Sequence, residues 1–540
     1  GLSGGGWWRD GIVQAAGGRY LTDTFGRRLQ LHGVNVVGKC GGGAQPINVP
    51  GTPCVGPAQG PKLAFVLSPQ ARDVGRRFTA ADASTLARMG FNMVRLGIVW
   101  QGLEPGAPDA QPNDPRYCGP HRGSRFPALG KADPYDPAAV RDYLRRTDRI
   151  VDLLARANIR VVIDMHQDVW GSAFQYPLGL TPWNGEGAPL WATCTDGLSF
   201  TAPLGWGSGY EAPAVQAAIH HFWANNVRAD LQGQFARVWT AVARHFVGNA
   251  DVLGYEVMNE PNDFKVASFD AELQCAYGGP VHAPRSCRAS HSAAVPEGLI
   301  GAIQAADPNH VVLYEPSGAT GFGAPETLGI AEPLRFRNLE LAFHVYGNVA
   351  TQLSETAQER FQTRTGQAGG PPWIMDEFGA STNSLATAAT VALADAHNLS
   401  WAYWAALQLD DPTAGEAYEG LLDQITRKPY PPQAQALSVP YPWATAGTPG
   451  AQSFDVVTGT FRYTYTVIAK IAAPTQIMLP SYVYPHGYRV QLRGAKIVSH
   501  RRAALLQLEA RKGAKQVRLT VRPAAPAAPR AERSAPRPGS

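Results

Sequence analysis

The amino-acid sequence predicts an α/β protein, a (β/α)8 TIM barrel with a C-terminal all-β sandwich domain. Between residues 29 and 406, apolar runs rich in β-branched residues alternate with amphipathic helical patterns, the rhythm of a parallel sheet joined by right-handed crossovers. Eight strand candidates argue for a closed barrel rather than an open sheet. Beyond about residue 445 the helical patterns stop and only short strand-like runs remain. With 540 residues, 44% apolar and 17% charged, the chain is too long for one small module and too apolar for a disordered protein.

In chain order, residues 29–37 read as the first strand. Residues 80–89 read as a helix behind Thr79, whose hydroxyl can cap the first turn. Residues 91–100 form the second strand, and 137–158 a long helix with Tyr143, Leu144, Ile150, Val151 and Leu154 on one face. Strand 159–168, helix 228–246, strand 252–260, helix 296–306 and strand 310–315 follow. Strands six and seven are 339–346 and 373–378, and helix 385–397 leads to an eighth strand at 399–406. Residues 444–451, rich in Gly, Thr and Pro, read as a linker or corner. Runs at 461–467, 476–479, 489–492, 505–508 and 516–521 supply the sandwich. The expected domains are a catalytic barrel at 1–445, a β-sandwich at 446–522 and a disordered Pro/Ala/Arg-rich tail at 523–540.

The net charge of +5 conceals an asymmetry. Residues 446–540 hold 15 Lys and Arg against Asp455, Glu509 and Glu532, a balance of +12. That leaves 33 Lys and Arg against 40 acids in residues 1–445, a balance of −7. A basic appendage on an acidic body suits an anionic surface, and it equally suits a solvated basic face. The longest apolar runs, such as 339–345, fall far short of the ~20 residues of a membrane helix. The chain begins at Gly1 without Met, as expected where a targeting peptide is removed or was never included.

Six cysteines are too few to define the fold, and no CxxC spacing suggests a zinc ribbon or a thioredoxin-like site. Cys275 and Cys287 flank one short Gly/Pro-rich stretch and Cys40 and Cys54 another, so disulfides are expected there. Cys118–Cys194 follows by elimination, and with these bonds an oxidising compartment. The connections after strands two, three and four are long, and barrel active sites are built from such loops. The third, roughly 169–226, holds Trp170, Phe174, Tyr176, Trp183, Trp191, Trp206, Tyr210, Phe222 and Trp223. It reads either as a cleft wall suited to sugar rings or a lipid chain, or as a loop with its own small core.

Two strand ends carry the chemistry. Tyr255-Glu256-Val257-Met258-Asn259-Glu260-Pro261 closes the fourth strand, where alternation sets Gly254, Glu256, Met258 and Glu260 toward the barrel interior and only Glu260 at the mouth. Trp373-Ile374-Met375-Asp376-Glu377-Phe378-Gly379 closes the seventh, with Glu377 in phase with Trp373 and Met375. Two carboxyls across a mouth can flank a glycosidic bond, one protonating the leaving oxygen while the other attacks the anomeric carbon. Retaining pairs stand about 5–5.5 Å apart and inverting pairs about 6.5–9.5 Å. Glu256, below the mouth, suits a buried hydrogen-bonded role; Glu315 ends the fifth strand, where it can contact sugar. This chemistry needs no metal and no cofactor. His220-His221 lacks companion ligands, and no P-loop, GxGxxG or GxSxG stands in a suitable context.

Asn-Glu-Pro after the fourth strand together with Glu-Phe-Gly after the seventh resembles glycoside hydrolase family 5, a retaining clan of (β/α)8 enzymes. Arg95 in Asn92-Met93-Val94-Arg95-Leu96, His166 in Asp164-Met165-His166-Gln167-Asp168, His344 and Tyr346 in His-Val-Tyr, and Trp404 agree with it. More narrowly, the motifs at 164–170, 187–193 and 473–480 resemble the endoglycoceramidases, which release whole glycans from glycosphingolipids and carry a C-terminal β-sandwich. The likeness extends over most of residues 20–522.

That resemblance implies Glu260 as acid/base and Glu377 as nucleophile, with Arg95 keeping Glu377 ionised and Tyr346 holding its carboxylate. It implies Asn259 at the sugar 2-OH, His166 and His344 orienting sugar or carboxylate, and Trp404 as a stacking platform. Asp168 and, across an alignment gap, Lys39 would contact the first glycone sugar. The expected protein is a secreted, monomeric retaining β-glycosidase that cuts glycan from ceramide. Its partners would be a glycosphingolipid and, peripherally, a lipid surface under the basic sandwich, with no nucleic acid. An exo-acting glucosylceramidase, galactosylceramidase or steryl β-glucosidase would use similar machinery. A silent glycolipid-binding protein is the reading from another class, and it need not keep Asn259, Glu260 and Glu377.

Overall fold

The structure is a computed structural model that describes residues 11–15, 19–37, 78–122, 125–171, 173–174, 185–201, 207–263, 269–279, 297–318, 336–346, 371–380, 383–406, 420–423 and 426–524. Eight parallel strands close in sequence order: β1 (His32–Val36), β2 (Met93–Ile98), β3 (Arg160–Met165), β4 (Val252–Glu256), β5 (Val311–Tyr314), β6 (Leu339–Val345), β7 (Trp373–Phe378) and β8 (Ser400–Tyr403). β8 pairs back to β1 through His32 opposite Trp401. Each strand falls inside its expected segment. The largest difference is β4, which stops at Glu256 rather than at Glu260.

Helices pack around the barrel. Ala80–Met89 opens with a capping box in which Thr79 and Asp82 bond each other's backbone N–H groups. Pro137–Arg156 turns Tyr143, Leu144, Ile150, Val151 and Leu154 inward, as its periodicity requires. The aromatic connection after β3 contains a helix that the sequence reading treated as loop, Pro213–Ala224, which buries Phe222 and Trp223. Trp100 meets Trp170, Trp191, Phe222 and Phe235 edge to face, with ring centroids 5.1–6.3 Å apart. Of the two readings of this segment, its described aromatics therefore support a small core of their own. Tyr176, Trp183 and Trp206 lie outside the described residues. The Cys118–Cys194 disulfide, Cα atoms 5.3 Å apart, ties this segment to the connection after β2. Cys275 is also disulfide-bonded, while Cys287, Cys40 and Cys54 lie outside the described residues.

Two antiparallel sheets form the β module. One runs Arg28–Leu29, Tyr441–Thr445, Thr475–Met478, Leu505–Ala510, Ala495–Ile497; the other runs Gly447–Asp455, Thr460–Val467, Gln516–Pro523, Tyr488–Arg493. The segment at 444–451 is thus mostly strand, not linker, and the chain changes sheet at Ala446. Its Gly and Pro misled because Gly447–Asp455 is an edge strand, where Pro is tolerated, and its register shifts between Pro449 and Gln452. Tyr441, Trp443, Met478 and Leu505 of the first sheet pack against Met93, Val162, Leu313, Ala342, Ile374 and Ala402, the apolar floor of the barrel. Tyr463, Ile477, Leu506 and Val517 pack between the two sheets. The outer face of the second sheet carries exposed Arg462, Arg489, Arg493, Arg518 and Arg522, with Arg489 opposite Arg522 and Arg493 opposite Arg518. Among the described residues, no helix is long and apolar enough to cross a membrane.

Candidate active site

β2 delivers Arg95 into the barrel, where it is fully buried. Its guanidinium forks onto Glu256, Nε to Oε2 at 2.7 Å and Nη2 to Oε1 at 2.6 Å. Nη2 also donates to Asn259 Oδ1 at 2.7 Å, and Nη1 donates to Asn35 Oδ1 at 3.1 Å and Glu377 Oε1 at 2.5 Å. Asp164, Glu315 and Asp376 bring oxygens within 3.3, 3.4 and 3.2 Å of the same group. Five carboxyls thus surround one cation. Two like charges 4 Å apart repel by about 4 kcal/mol even at an effective dielectric constant of ~20, so all five cannot be ionised together. Burial works to raise the pKa of Glu256, but the charge and hydrogen bonds of Arg95 hold it down at about 2. Burial and the neighbouring Glu256 charge push both Glu315 and Asp376 well above the usual carboxyl range.

Above this layer stand Glu260, His344 and Glu377. His344 Nδ1 is 2.8 Å from Glu260 Oε1 and 3.3 Å from Glu377 Oε2. One carboxyl oxygen of each Glu and a ring nitrogen of His344 lie within 4.8 Å of one another. Tyr346 donates its hydroxyl to Glu377 Oε2 at 2.8 Å. Burial lowers the pKa of His344 to about 4 against the pull of Glu377, so the ring is neutral at neutral pH. Burial raises that of Glu377, with His344 and Arg95 opposing and Glu260 adding.

Neither Glu reaches the mouth by simple alternation, and both expectations of phase need correcting. β4 ends at Glu256, which points inward as expected, but Met258 packs outside the barrel. Glu260 instead enters from the turn beyond the strand, with φ +43°, a left-handed conformation uncommon outside glycine. Gly318 permits that turn, since a Cβ there would stand 2.9 Å from the Glu260 Cβ, and its N–H bonds Pro261 O at 2.8 Å. In β7, Trp373 and Met375 face the helices while Ile374 faces the interior. Phe343 pairs with Met375 and His344 with Glu377, so Asp376 is the extra residue of a bulge. The bulge lets adjacent Asp376 and Glu377 both point inward.

β3 adds His166, whose Nδ1 lies 2.7 Å from Asp164 Oδ2 and whose ring stacks on Trp404 at 5.4 Å. Asp168 Oδ2 is 3.4 Å from His166 Nε2, and Asp168 pairs through its backbone with Glu186. Trp404 is only 3% exposed. Glu315 Oε1 accepts the Glu260 N–H at 3.1 Å and stands 3.4 Å from His344 Nε2. Ten of the expected site residues therefore converge, from seven strand ends, and Lys39 lies outside the described residues. Sequence reasoning gave no role to Asn35, Asp164, Gln167 or Asp376. Gln167 donates to the carbonyls of Asn259 (2.9 Å) and Glu260 (3.3 Å), and Asn35 Nδ2 donates to Asp376 O at 2.8 Å. A signal for Gln167 and Asp376 was present, since each adjoins an expected residue. Among the described residues, Glu256–Glu315–His344–Asp376, His166–Asp168–Glu186 and Glu260–His344–Glu377 have spacings that an ion could bridge. In the first, the Arg95 guanidinium already supplies the positive charge.

The sequence profile of the cellulase family, glycosyl hydrolase family 5, matches residues 67–408, and that of the glycoside hydrolase family 5 C-terminal domain matches residues 440–521. The chain is 26% identical over 504 residues to endoglycoceramidase I of Rhodococcus hoagii, covering 90% of this chain and 83% of that one. It is 23% identical over 514 residues to an endoglycoceramidase of Hydra vulgaris, covering 87% and 81%. Among solved structures, the lactosyl-enzyme intermediate of endo-glycoceramidase II from Rhodococcus sp. superposes with a TM-score of 0.64 at 25% identity, over 94% of this chain and 100% of that one. A barrel profile spanning well over half the sequence, joined to the matching C-terminal profile, places the chain in glycoside hydrolase family 5.

Proposed function

We propose that this protein is a secreted, monomeric endo-acting β-glycosidase that cuts the bond between glycan and ceramide in glycosphingolipids with retention of configuration, releasing intact oligosaccharide. The observation that carries the reading is the Glu260–His344–Glu377 constellation, with reactive oxygens within 4.8 Å. Carboxyl oxygens this close suit the retaining arrangement, whose pair stands about 5–5.5 Å apart.

In the first step Glu377 attacks the anomeric carbon while Glu260 gives its proton to the departing ceramide oxygen, leaving a glycosyl ester on Glu377. In the second, Glu260 takes a proton from water, which attacks the same carbon and frees the sugar and Glu377. Arg95 and Tyr346 hold the two Glu377 oxygens and stabilise the carboxylate as it departs. Asn259 spends its Oδ1 on Arg95 and one Nδ2 hydrogen on Gln167 O, leaving the second Nδ2 hydrogen for the sugar 2-OH. His344 orients Glu260, His166 and Trp404 flank the glycone, Asp168 and Lys39 are the remaining polar contacts, and Glu315 supports Glu260 by accepting its backbone N–H. Catalysis belongs to the barrel, and the β module runs from Tyr441 to Pro523 with Arg28–Leu29 joined to its first sheet. The arginine-bearing outer sheet supports peripheral attachment to an anionic lipid surface, which salt should weaken. Disulfides at Cys40–Cys54 and Cys275–Cys287 complete the extracytoplasmic reading.

Mass spectrometry of products from lactosylceramide, a ganglioside and glucosylceramide tests the proposal. Release of the whole glycan is expected. Sequential monosaccharides would point instead to the exo-acting glycosidases, and unchanged substrate to a silent binding protein.

A further inference from the structure

The layer beneath the two glutamates poses an accounting problem. A guanidinium has five N–H groups. Those of Arg95 are taken by Glu256 twice, by Asn35, Asn259 and Glu377 once each. Asp164, left over, has His166 Nδ1 at 2.7 Å. Glu377 has the Tyr346 hydroxyl as its second donor. Two carboxyls remain, Glu315 and Asp376, with side chains 2% and 1% exposed. Glu315 receives the backbone N–H of Glu260 and a long 3.4 Å share of Arg95 Nη2. Neither oxygen of Asp376 has a hydrogen-bond donor among the described residues. Both residues nonetheless lie in hydrogen-bonding reach of Glu256, and one oxygen from each of the three lies within 4.8 Å of the others. Two carboxyl oxygens at such range attract only when a proton lies between them.

We infer that Glu315 and Asp376 are kept as neutral carboxylic acids that donate to an ionised Glu256, and that these two protons leave the Arg95 charge free to hold Glu377 as a carboxylate. They are positioning residues. The charge of Arg95 is balanced by Glu256 alone when the two acids are neutral. If either ionised, a further negative charge would sit below Glu377 and favour its protonation, and would draw a proton onto His344, which orients Glu260. The other titratable groups facing the pair are Asp164 and His166 from β3 and its following turn, Glu260 beyond β4, Glu340 and His344 from β6, and Glu377 from β7. Tyr277, from helix Phe269–Tyr277, donates its hydroxyl to the Glu315 carbonyl at 2.9 Å. The burial-driven rise of both acids agrees with the donor count.

The sign of the linkage gives a test that does not depend on the reaction. Carboxyls that stay protonated in the fold ionise above about pH 4 when the chain unfolds. The unfolded chain then holds fewer protons, and stability falls as pH rises. Glu315→Gln and Asp376→Asn each remove one such group while keeping its shape. The melting temperature of each variant, relative to wild type, should therefore climb between pH 5 and pH 8. In infrared difference spectra at neutral pH, each should lose one protonated-carboxyl C=O band. Assignment is by difference, because buried Glu104 and Glu340, both raised to about 8, contribute bands of their own. The kinetic arm rests on the proposed roles of Glu260 and Glu377: Glu315→Gln should retain at least about tenfold more kcat/KM than Glu315→Ala, the worth of one buried hydrogen bond, and its alkaline limb should move to higher pH. A melting difference that is constant with pH, or spectra without a band traceable to either residue, overturns the inference. If neither variant folds, wild type decides it: absence of any protonated-carboxyl band at pH 7 refutes the two protons. Failure of the kinetic arm alone, with the bands present, overturns the positioning of Glu377 by these two acids and leaves the protons in place.

Discussion

On β2, Met93 faces the barrel floor and Arg95, two residues on, faces the site; on β3 the same step runs from Val162 to Asp164, on β6 from Ala342 to His344, and on β7 from Ile374 to Asp376. β5 repeats it from Leu313 to Glu315 just past the strand. One inward-facing layer, about 6.7 Å of strand rise, separates an apolar core closed by Tyr441 and Trp443 from a cluster of carboxyls around one arginine. The floor gains from every contact being interchangeable and apolar. The mouth gains from every group being specific, and its cost in buried charge is offset by the pairing and hydrogen bonds of Arg95 with Glu256 and Glu377. Stability and chemistry are therefore divided along the strand axis rather than between domains.

Mutations at the two ends should separate accordingly. The largest effect is expected from Glu377→Gln, which should lower kcat by about 10⁴-fold or more while leaving substrate binding and melting temperature near wild type. Retained turnover, measured with lactosylceramide, would remove the nucleophile assignment and break the contrast. Glu260→Gln should lose about 10²–10⁴-fold, and much less on an aryl glycoside whose leaving group needs no proton; equal losses on both substrates would deny it the acid role. At the floor, Trp443→Ala should cost about 3–5 kcal/mol of stability in a denaturant melt with kcat per folded molecule unchanged. A drop in kcat there would show that the two ends are coupled. The smallest effect belongs to Arg493→Glu, which replaces a like-charge pair with Arg518 by an opposite-charge pair and should stabilise by about 0.2–1 kcal/mol. The same variant should bind anionic vesicles more weakly at low salt. Binding that ignores both the substitution and salt would dismiss the electrostatic attachment.

Much of this was legible in the sequence because periodicity and strand-end motifs are local. The eight strands, the Thr79 cap, and Glu260 and Glu377 as mouth residues all follow from short windows. The route by which those two glutamates arrive was not legible. A strict two-residue period would turn Glu377 outward with Trp373 and Met375, and only a bulge, set by pairing against β6, brings it in. The Glu260 turn depends on Gly318, 58 residues away in sequence. Asp376 adjoins an expected residue, but only that bulge turns it inward, so alternation gave it no role. The aromatic segment after β3 left two readings open, because a local core and a cleft wall use the same residue types. The edge strand at 447–455 was hidden by Gly and Pro, which an interior strand would exclude.

The two-residue strand Arg28–Leu29 pairs with Tyr441–Thr445, joining the start of the described chain to its last quarter. On the ribosome, Leu29 and Leu31 leave the exit tunnel more than 400 residues before Tyr441 and Trp443, the side chains that cover them in the finished floor. The base of the barrel consequently stays open until residues 441–443 have been made. A chain stopped at residue 440 would present that base as a broad apolar patch, a site for chaperones or for aggregation. Shortening this protein to a catalytic barrel therefore requires a redesigned floor, and the sandwich serves as the lid that completes folding.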